Sequence, residues 1–341
     1  MCSPWYFVLP EERSKPSGGN IYNERIVSVL RQVGRPVETI STGDYLRAVR
    51  QDQSGFYWVD TLLLNDIREV LSLKPNRACS LLIVHHLESL APLSGQAVEE
   101  LRAQEQPWLT WFQGFLATSH FTESYLRQRK VTQPVVVVEP GTDTTTMEIP
   151  ERNLKKIRAL TVANLVDRKG VLPGLQWLAR NTKEGNQFSW TIVGRLDIEP
   201  AYAQHCISII DEHPLLQKCV RLVGSQPPDQ MTDFYRESNL FVSLASMETF
   251  GMALQEARTY QLPILTMKGG YSSHHITSGQ TGYVFSDLPQ LGSFFLELVQ
   301  EPSKFAILYQ RTQQHPASYL SWTQTARELI QQFNLLFSYA P

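Results

Sequence analysis

The chain has few cysteines, no long apolar stretch and no excess of charge of either sign. Its four cysteines, Cys2, Cys79, Cys206 and Cys219, are scattered without a C-x-x-C pair. This spacing argues against a disulfide framework or a zinc site and predicts free thiols in a reducing cytosol. No stretch approaches the roughly 18 apolar residues of a membrane-spanning helix. The formal net charge is −2 with no basic run or acidic tail, so we expect no nucleic-acid partner.

Several motifs that carry well-defined chemistry are also missing. No D-x-D triplet occurs, and no histidine and carboxylate cluster has metal-ligand spacing, so we expect neither a metal nor another cofactor. No G-x-S-x-G sequence is present, which removes support for a hydrolase triad. The apolar segment at Trp5–Leu9 lacks a basic flank and predicts a first strand rather than a signal peptide. Together these features predict a cytoplasmic protein with no transmembrane segment.

The chain contains short apolar runs that alternate with helix-like segments almost throughout. Such alternation is typical of parallel sheets with crossover helices and predicts an α/β fold. A turn, polar residues and a charged run interrupt the alternation over residues 140–158, so we expect a domain boundary there. The length of 341 residues also suits two cores. We therefore predict Rossmann-like domains at 1–150 and 151–318, followed by a C-terminal amphipathic helix within 319–341.

One aromatic stripe allows two interpretations. Trp108, Trp111, Phe112 and Phe115 fall at positions i, i+3, i+4 and i+7, which predicts one apolar face of a helix over residues 109–115. The favoured interpretation is a face that packs into the core. The alternative is a surface that binds an acceptor or touches a membrane, so association with the inner membrane surface remains open at this stage.

The stretch S-M-E-T-F-G-M-A-L-Q-E-A, residues 246–257, follows the apolar run Leu240–Leu244. It carries Glu248 in a predicted loop and Glu256 in a predicted helix, with seven residues between them. Eight helical steps correspond to about 12 Å along an axis. That is longer than the roughly 5–9.5 Å between the paired acids of glycosidases. Two acids at this spacing suit opposite ends of one long ligand, although a capping and an exposed glutamate would look the same.

Glycines and cations follow several of the other predicted strands. Gly18 and Gly19 precede the first helix, where backbone amides can approach a phosphate or a sugar. Asn164, Arg168 and Lys169 follow the first strand of the second half, where a cation can neutralise a diphosphate. Gly194 and Arg195 end the next strand, and His85 and His86 end an apolar strand of the first half. Each of these features alone also fits an ordinary solvent-exposed loop.

Read together, these pieces resemble the retaining glycosyltransferases of the GT-B fold, specifically glycosyltransferase family 4. The specific signal is Glu248 and Glu256 around Phe250-Gly251, and the resemblance is strongest over residues 159–285. The remaining pieces occur in the order of that family: Ser17-Gly18-Gly19-Asn20, His85, Thr118-Ser119-x-Phe121-Thr122, Glu139-Pro140-Gly141-Thr142-Asp143, Lys169-Gly170, Val193-Gly194, Val223-Gly224, Gly269-Gly270 and Gly279-x-Thr281-Gly282. The implied fold has two Rossmann-like domains that face each other across a cleft, with the C-terminal helix packed back toward the first.

The resemblance implies a nucleotide diphosphate sugar as the donor, UDP- or GDP-linked, and no metal. By this resemblance, Glu256 binds the ribose hydroxyls and Glu248 the hydroxyls of the donor sugar. Lys169 neutralises the diphosphate, and His85 or else His86 contacts the sugar near its reacting carbon. The donor-binding set also contains Gly18, Gly19, Asn164, Arg168, Gly194, Arg195, Thr249, Phe250, Gly251 and Met252.

The chain departs from the family at Asn164, where an arginine is usual, which leaves one positive charge fewer unless Arg168 replaces it. The family transfers a hexosyl group with retention of configuration to an acceptor that can be a small molecule, a glycan or a lipid-linked glycan. Three alternatives remain open on the same fold. They are a nucleotide-sugar epimerase, a glycoside phosphorylase, and a catalytically silent protein that acts as a scaffold or partner.

Overall fold

The computed structural model describes residues 4–9, 17–92, 95–143, 151–182 and 188–337. The chain divides into two compact units, one formed by residues 1–143 with 319–341 and the other by residues 144–318. The predicted boundary at residue 150 and Cys2 lie outside the described residues. Each unit contains one parallel sheet with helices on both faces, and the prediction of two α/β halves is confirmed.

The first unit is built on a six-stranded sheet with the order β2-β1-β3-β4-β5-β6, and its paired strands are parallel. The strands are β1 (Trp5–Val8), β2 (Val37–Ile40), β3 (Gly55–Asp60), β4 (Ala78–Val84), β5 (Gly114–Ala117) and β6 (Val135–Val137). The helices are α1 (Gly18–Gln32), α2 (Thr42–Arg50), α3 (Val98–Trp111) and α4 (His120–Gln128), and α12 (Trp322–Phe337) joins them from the end of the chain. The chain order reverses between β1 and β3, which makes that place the topological switch point of the sheet.

The second unit repeats this plan with the strand order β12-β11-β10-β7-β8-β9. Its strands are β7 (Ile157–Val162), β8 (Phe188–Val193), β9 (Val220–Gly224), β10 (Leu240–Ser243), β11 (Ile264–Met267) and β12 (Gly282–Phe285). Its helices are α5 (Val171–Asn181), α6 (Pro200–Glu212), α7 (Pro214–Cys219), α8 (Pro228–Glu237), α9 (Met252–Thr259), α10 (Leu288–Gln300) and α11 (Pro302–Gln314). Here the order reverses between β7 and β10.

Alternate residues of the central strands of the second unit enter two separate cores. Leu240 and Val242 of β10 pack on one face of the sheet with Phe295 of α10. Phe241, between them in sequence, packs on the other face with Leu254 of α9. Because successive side chains of a strand point to opposite faces, a continuous apolar run can serve both cores. The strands are therefore held rigidly, and their carboxyl ends form a fixed edge.

Helix α12 completes the core of the first unit. Phe333 is buried and packs edge-to-face against Trp5 and Phe56, with ring centroids 4.6 and 4.7 Å apart. The side-chain amide of Gln332 accepts a hydrogen bond from the Val137 N–H at 2.9 Å and donates one to the Val137 carbonyl at 2.8 Å. These contacts seal the outer side of β6, the last strand of the sheet. The helix thus belongs structurally to a unit whose other elements end near residue 143.

The prediction of one helical face for the aromatic stripe is wrong. Helix α3 ends at Trp111, Phe112 lies in the connection, and Phe115 lies on β5. Phe112 and Phe115 are nevertheless buried in the same core as Trp108, with Trp111 packed against it. The core interpretation is correct, and the alternative of an exposed acceptor or membrane surface is wrong for these rings. The apolar residues of the stripe run from the end of α3 into the short strand β5. Their spacing therefore looked like that of a single helix.

Two further properties of the described residues bear on the sequence predictions. No helix in this part of the chain combines the length and the apolar character needed to cross a membrane. Cys79, Cys206 and Cys219 are free thiols, as predicted. Burial raises the pKa of Cys79 to about 11 and that of Cys206 to about 12. These thiols are therefore protonated and unreactive near neutral pH.

Candidate functional site

Lys169 and Glu248 meet at the switch point of the second sheet. They lie in the loops that follow β7 and β10, the two neighbouring strands between which the chain order reverses. The Lys169 Nζ donates to Glu248 Oε1 at 2.5 Å, and the two side chains are only 15% and 16% exposed. In open α/β sheets this position, beyond the carboxyl ends of the strands, is the usual place for a ligand.

Backbone contacts fix the loop that carries Lys169. After β7 the chain forms a short 3-10 turn at Asp167–Lys169 and ends it at Gly170, whose φ is +69°. A Cβ atom on Gly170 would lie 2.4 Å from the Leu244 carbonyl oxygen. In addition, the Arg168 carbonyl accepts a hydrogen bond from the Ser246 N–H at 3.0 Å. The loops after β7 and β10 are thereby held together, and the lysine has little freedom to leave the glutamate.

The Glu248 loop is anchored from its other side by the segment after β11. Glu248 forms an isolated parallel bridge with Gly270, and the Tyr271 N–H donates to the Glu248 carbonyl at 2.7 Å. Thr249 and Phe250 then form a bend before α9, and the Phe250 ring is buried against Tyr271 at 5.7 Å between centroids. The carboxylate of Glu248 is therefore presented from a backbone that is held on both sides.

The turn from this bend into α9 presents three free amides. Gly251 has φ +93° and ψ +58°, a left-handed conformation, and α9 begins at the next residue. Within the described part of the chain, the N–H groups of Gly251, Met252 and Ala253 donate no hydrogen bond. A left-handed residue followed by a helical one turns successive amides into a concave nest that binds anions. The positive end of the helix adds to this effect.

These amides lie beside the ion pair. A small cavity at the carboxyl ends of β7 and β10 is lined by Lys169 and Glu248 and by Ala253 and Leu254 of α9. The cavity thus has a cation and the first turn of α9 at its wall, together with a carboxylate that accepts hydrogen bonds from hydroxyl groups. This combination suits a ligand that is negatively charged at one point and rich in hydroxyls nearby.

Glu256 lies on α9 and is held by a tyrosine that the sequence analysis did not identify. The Tyr235 O–H donates to Glu256 Oε2 at 2.5 Å, and the Tyr235 ring is buried and stacks on Tyr260 at 4.8 Å. Burial, and after it the charge of Glu256, raises the pKa of Tyr235 well above its usual range. The hydroxyl therefore stays protonated and acts as a donor that orients the carboxylate.

Gly194 and Arg195, the predicted donor-binding residues after β8, do not form a simple cationic clamp. The guanidinium of Arg195 donates to both carboxylate oxygens of Asp197 at 2.9 Å. The side-chain oxygen of Asn164 accepts from the Arg195 N–H at 3.1 Å, and the Gly194 N–H donates to the Gly224 carbonyl at 3.0 Å. Asn164 therefore fastens the loops after β7 and β8. Among the described residues, the guanidinium of Arg168 makes no hydrogen bond or ion pair.

His85 belongs to a separate cluster in the first unit. Gly18 and Gly19 form the first turn of α1, with Ser17 as its cap, instead of preceding the helix as predicted. A Cβ atom on Gly19 would lie 3.1 Å from the His85 ring. His86 follows His85 and is half-buried.

Two buried residues that the sequence analysis missed orient the His85 ring. His85 Nε2 lies 2.9 Å from Asn23 Oδ1, which can only accept, so this nitrogen carries the proton. The Asn23 amide in turn donates to Asp60, a fully buried carboxylate that also accepts from the Leu62 N–H at 2.7 Å. Burial lowers the pKa of His85, and the charge of Asp60 opposes this effect only in part. The ring is therefore neutral near pH 7.

The predicted site residues thus fall into two groups. Lys169, Glu248, Gly251 and Met252 come together in the second unit with Arg168 beside them, and Glu256 follows on the same helix. Gly18, Gly19 and His85 come together in the first unit. In the described ranges, no three histidine, cysteine or acidic side chains are grouped as ligands of a metal ion.

Comparison with known proteins agrees with this architecture. Residues 143–289 match the sequence profile of the family glycosyl transferases group 1. The sucrose-phosphate synthase of Thermosynechococcus elongatus superposes on 98% of this chain and 99% of its own with a TM-score of 0.78 at 16% identity. HepE from Anabaena, solved in complex with UDP and glucose, superposes on 98% of this chain and 100% of its own with a TM-score of 0.72 at 16% identity. The chain has the GT-B fold.

Sequence relatives add to the comparison. The amylovoran biosynthesis glycosyltransferase AmsK of Erwinia amylovora is 29% identical over 152 residues, 42% of this chain and 36% of AmsK. A D-inositol 3-phosphate glycosyltransferase of Rhodococcus opacus is 27% identical over 118 residues, 34% of this chain and 26% of that enzyme. The chain thus matches about a third or less of the length of these relatives. The match to glycosyl transferases group 1, over residues 143–289, lies almost entirely in the second unit.

Proposed function

We propose that the protein is a retaining glycosyltransferase of family 4 that moves a sugar from a nucleotide diphosphate sugar to an acceptor hydroxyl without a metal ion. The observation that carries the proposal is the pairing of Lys169 with Glu248 beside three free amides at the switch point of the second sheet. The match to glycosyl transferases group 1 covers these residues.

In this proposal, Lys169 and the amides of Gly251, Met252 and Ala253 hold the diphosphate. Departure of the nucleotide leaves negative charge on phosphate, and preorganised donors in a water-poor site stabilise that charge. Removing one such donor typically costs about 3–4 kcal/mol of transition-state stabilisation. These groups supply the positive charge that a divalent metal would otherwise provide, which supports the metal-independent assignment.

The two glutamates take the hydroxyl groups of the donor. Glu256, fixed by Tyr235, accepts hydrogen bonds from the ribose, and Glu248 accepts them from the donor sugar. His85 is proposed as the histidine that contacts the sugar near its reacting carbon. Retention is proposed from the resemblance to family 4, in which the phosphate takes the acceptor proton on the face where the bond breaks, so that no protein nucleophile is required.

A uridine or guanosine diphosphate sugar is the proposed donor class. Its support is the resemblance of the motif set to family 4, together with HepE, a structure of the same fold with UDP and glucose bound. The free guanidinium of Arg168 is proposed to supply the second cation where family members carry an arginine in place of Asn164. It adjoins Lys169 and has no competing ion pair among the described residues.

The first prediction is that Lys169→Ala weakens the binding of UDP or GDP and lowers turnover roughly 100- to 1,000-fold. The variant removes the cation closest to the proposed diphosphate and leaves Glu248 without its partner. Calorimetric titration with UDP, GDP and their glucose conjugates measures binding, and product formation with the nucleotide sugar that binds measures turnover. Glu248→Ala is expected to abolish transfer while nucleoside diphosphate binding is largely kept.

Lys218→Ala provides a matched control, because Lys218 is exposed on α7 at the amino end of β9, at the opposite edge of the same sheet. It should bind and react like the unmodified protein. Equal binding of UDP and GDP by Lys169→Ala and Lys218→Ala would contradict the role of Lys169. Failure of the unmodified protein to bind any nucleotide would overturn the proposed function.

A further inference from the structure

His275 contacts Phe250, in the loop that precedes α9 at the proposed diphosphate site. It ends the 3-10 turn Ser272–His275 and is only 5% exposed. Its Nε2 lies 2.7 Å from the carbonyl oxygen of Phe250. Its ring meets the Phe250 ring edge-on, with centroids 5.0 Å apart at 88°. None of the roles assigned above uses this histidine.

The Phe250 carbonyl and the Gly251 N–H belong to one peptide group. The described residues contain no cis peptide bond, and in a trans peptide the carbonyl and the N–H point in opposite directions. A carbonyl held toward His275 therefore aims the Gly251 N–H away from it. That N–H is the first of the three amides in the nest at the start of α9.

We propose that His275 is a positioning residue, which sets the direction of the Gly251 amide toward the diphosphate by holding the Phe250 carbonyl. The inference rests on the proposed function of the site, which it deepens. A glycine can adopt both left-handed and right-handed conformations at little cost, so Gly251 alone does not determine which way the preceding peptide points. The buried carbonyl would lose its hydrogen bond if the peptide turned over.

The protonation state of the imidazole suits this task. A carbonyl oxygen can only accept, so Nε2 carries the proton and donates. Burial lowers the pKa of His275 to about 4. The charged and titratable groups around it act in both directions: Glu248 favours protonation, while Arg258 and His274 oppose it. The ring is thus neutral over the physiological range, and it donates one hydrogen bond without adding a positive charge behind the nest.

Two substitutions at His275 distinguish the effect of its hydrogen-bond donor from the effect of its bulk. In His275→Gln the side-chain amide can place an N–H close to the position of Nε2, whereas His275→Leu keeps bulk and removes the donor. We expect His275→Leu to bind UDP roughly 10- to 100-fold more weakly, the effect of one lost charge-assisted hydrogen bond. His275→Gln should stay within a few-fold of the unmodified protein. Uridine, which lacks the diphosphate, should bind all three proteins alike.

His274→Gln is the matched control, because His274 is exposed and stacks on Tyr271 instead of contacting the loop carbonyl. It should leave UDP binding unchanged. The inference is overturned if His275→Leu binds UDP as tightly as His274→Gln does. It is also overturned if His275→Leu weakens uridine and UDP equally, because the defect would then be a general loss of structure.

A measurement without nucleotide keeps the inference testable if the proposed function fails. Nuclear magnetic resonance of the ¹⁵N-labelled imidazoles should show His275 as a neutral ring protonated at Nε2 at pH 6. The Gly251 amide resonance should move in His275→Leu and much less in His275→Gln. A charged His275, or one protonated at Nδ1, would refute the hydrogen bond itself. A wild-type protein that binds neither UDP nor GDP would instead refute the function of the site.

Discussion

Tyr235 helps to fix the position of Glu256. Its hydroxyl is the donor that holds the carboxylate, and stacking on Tyr260 holds the ring. Tyr235→Phe removes one oxygen atom and keeps the stack. We expect this variant to bind UDP roughly tenfold more weakly, since the glutamate would lose the hydrogen bond that orients it toward the ribose.

A ligand and a second variant make this prediction specific. Titration with 2′,3′-dideoxyuridine diphosphate, which has no ribose hydroxyls, should not distinguish Tyr235→Phe from the unmodified protein. Tyr260→Phe removes the neighbouring hydroxyl of the same stack, which donates to Thr232 at 3.0 Å, and should bind UDP normally. If the dideoxy compound lost affinity to the same degree as UDP, Tyr235 would act on the fold and not on Glu256.

The difference between predicted and missed residues at this scale has a physical basis. Lys169 and Glu248 could be placed together because each follows an apolar strand, and the carboxyl ends of parallel strands share one edge. Tyr235, Asn23 and His275 act through contacts with residues 21 to 62 positions away in sequence. No local period encodes such a contact. The one available signal was Asp60, an acid that ends an otherwise apolar strand.

Helices and strands were predictable where one pattern of apolar residues, helical or strand-like, extended over enough residues. The apolar runs at Trp5–Leu9 and Leu240–Leu244, for example, coincide with β1 and β10 to within one residue. β12 (Gly282–Phe285) was missed, because its side chains are mostly half-buried and its apolar run is short. The helices α2, α7 and α11 were missed as well. The last two begin at a proline, Pro214 and Pro302, which favours the first turn of a helix but also occurs in loops.

The contribution of helix α12 to the core of the first unit can be tested by mutation. Phe333→Ala removes a ring that contacts Trp5, Phe56, Trp58 and Phe337. The resulting cavity should destabilise the first unit by about 3–5 kcal/mol. Urea unfolding followed by tryptophan fluorescence measures the effect. Leu335→Ala, at a side chain on the same helix that is 72% exposed, should change stability by less than about 0.5 kcal/mol. Equal effects of the two variants would mean that the helix does not complete this core.

At the scale of the whole molecule, each unit contains a neutral histidine that is largely removed from solvent. The pKa values of His85 and His275 are lowered by burial, that of His275 to about 4 against 6.5 in an unfolded chain. Between these values the unfolded protein binds more protons than the folded one, so stability is full above about pH 6.5 and falls as the pH decreases. For His275 the loss reaches roughly 3 kcal/mol at pH 4, at about 1.4 kcal/mol per pH unit.

Urea titrations at pH 7, 6 and 5 measure this dependence, with hydrogen exchange reporting the sheet of the second unit. His275→Gln has no titrating group at this position, so its stability should decline less steeply from pH 6.5 downward than that of the unmodified protein. The difference should be confined to the second unit, since His85 is unchanged. Parallel curves for the two proteins would show that His275 titrates normally in the folded state.

The placement of α12 also determines when each unit can complete its folding during translation. The ribosome makes residues 144–318 before it makes Phe333, the ring that covers Trp5 and Phe56. The second sheet therefore has all of its strands while the earlier one still exposes aromatic rings to water or to a chaperone. The half of the molecule that is translated first is the half that matures last.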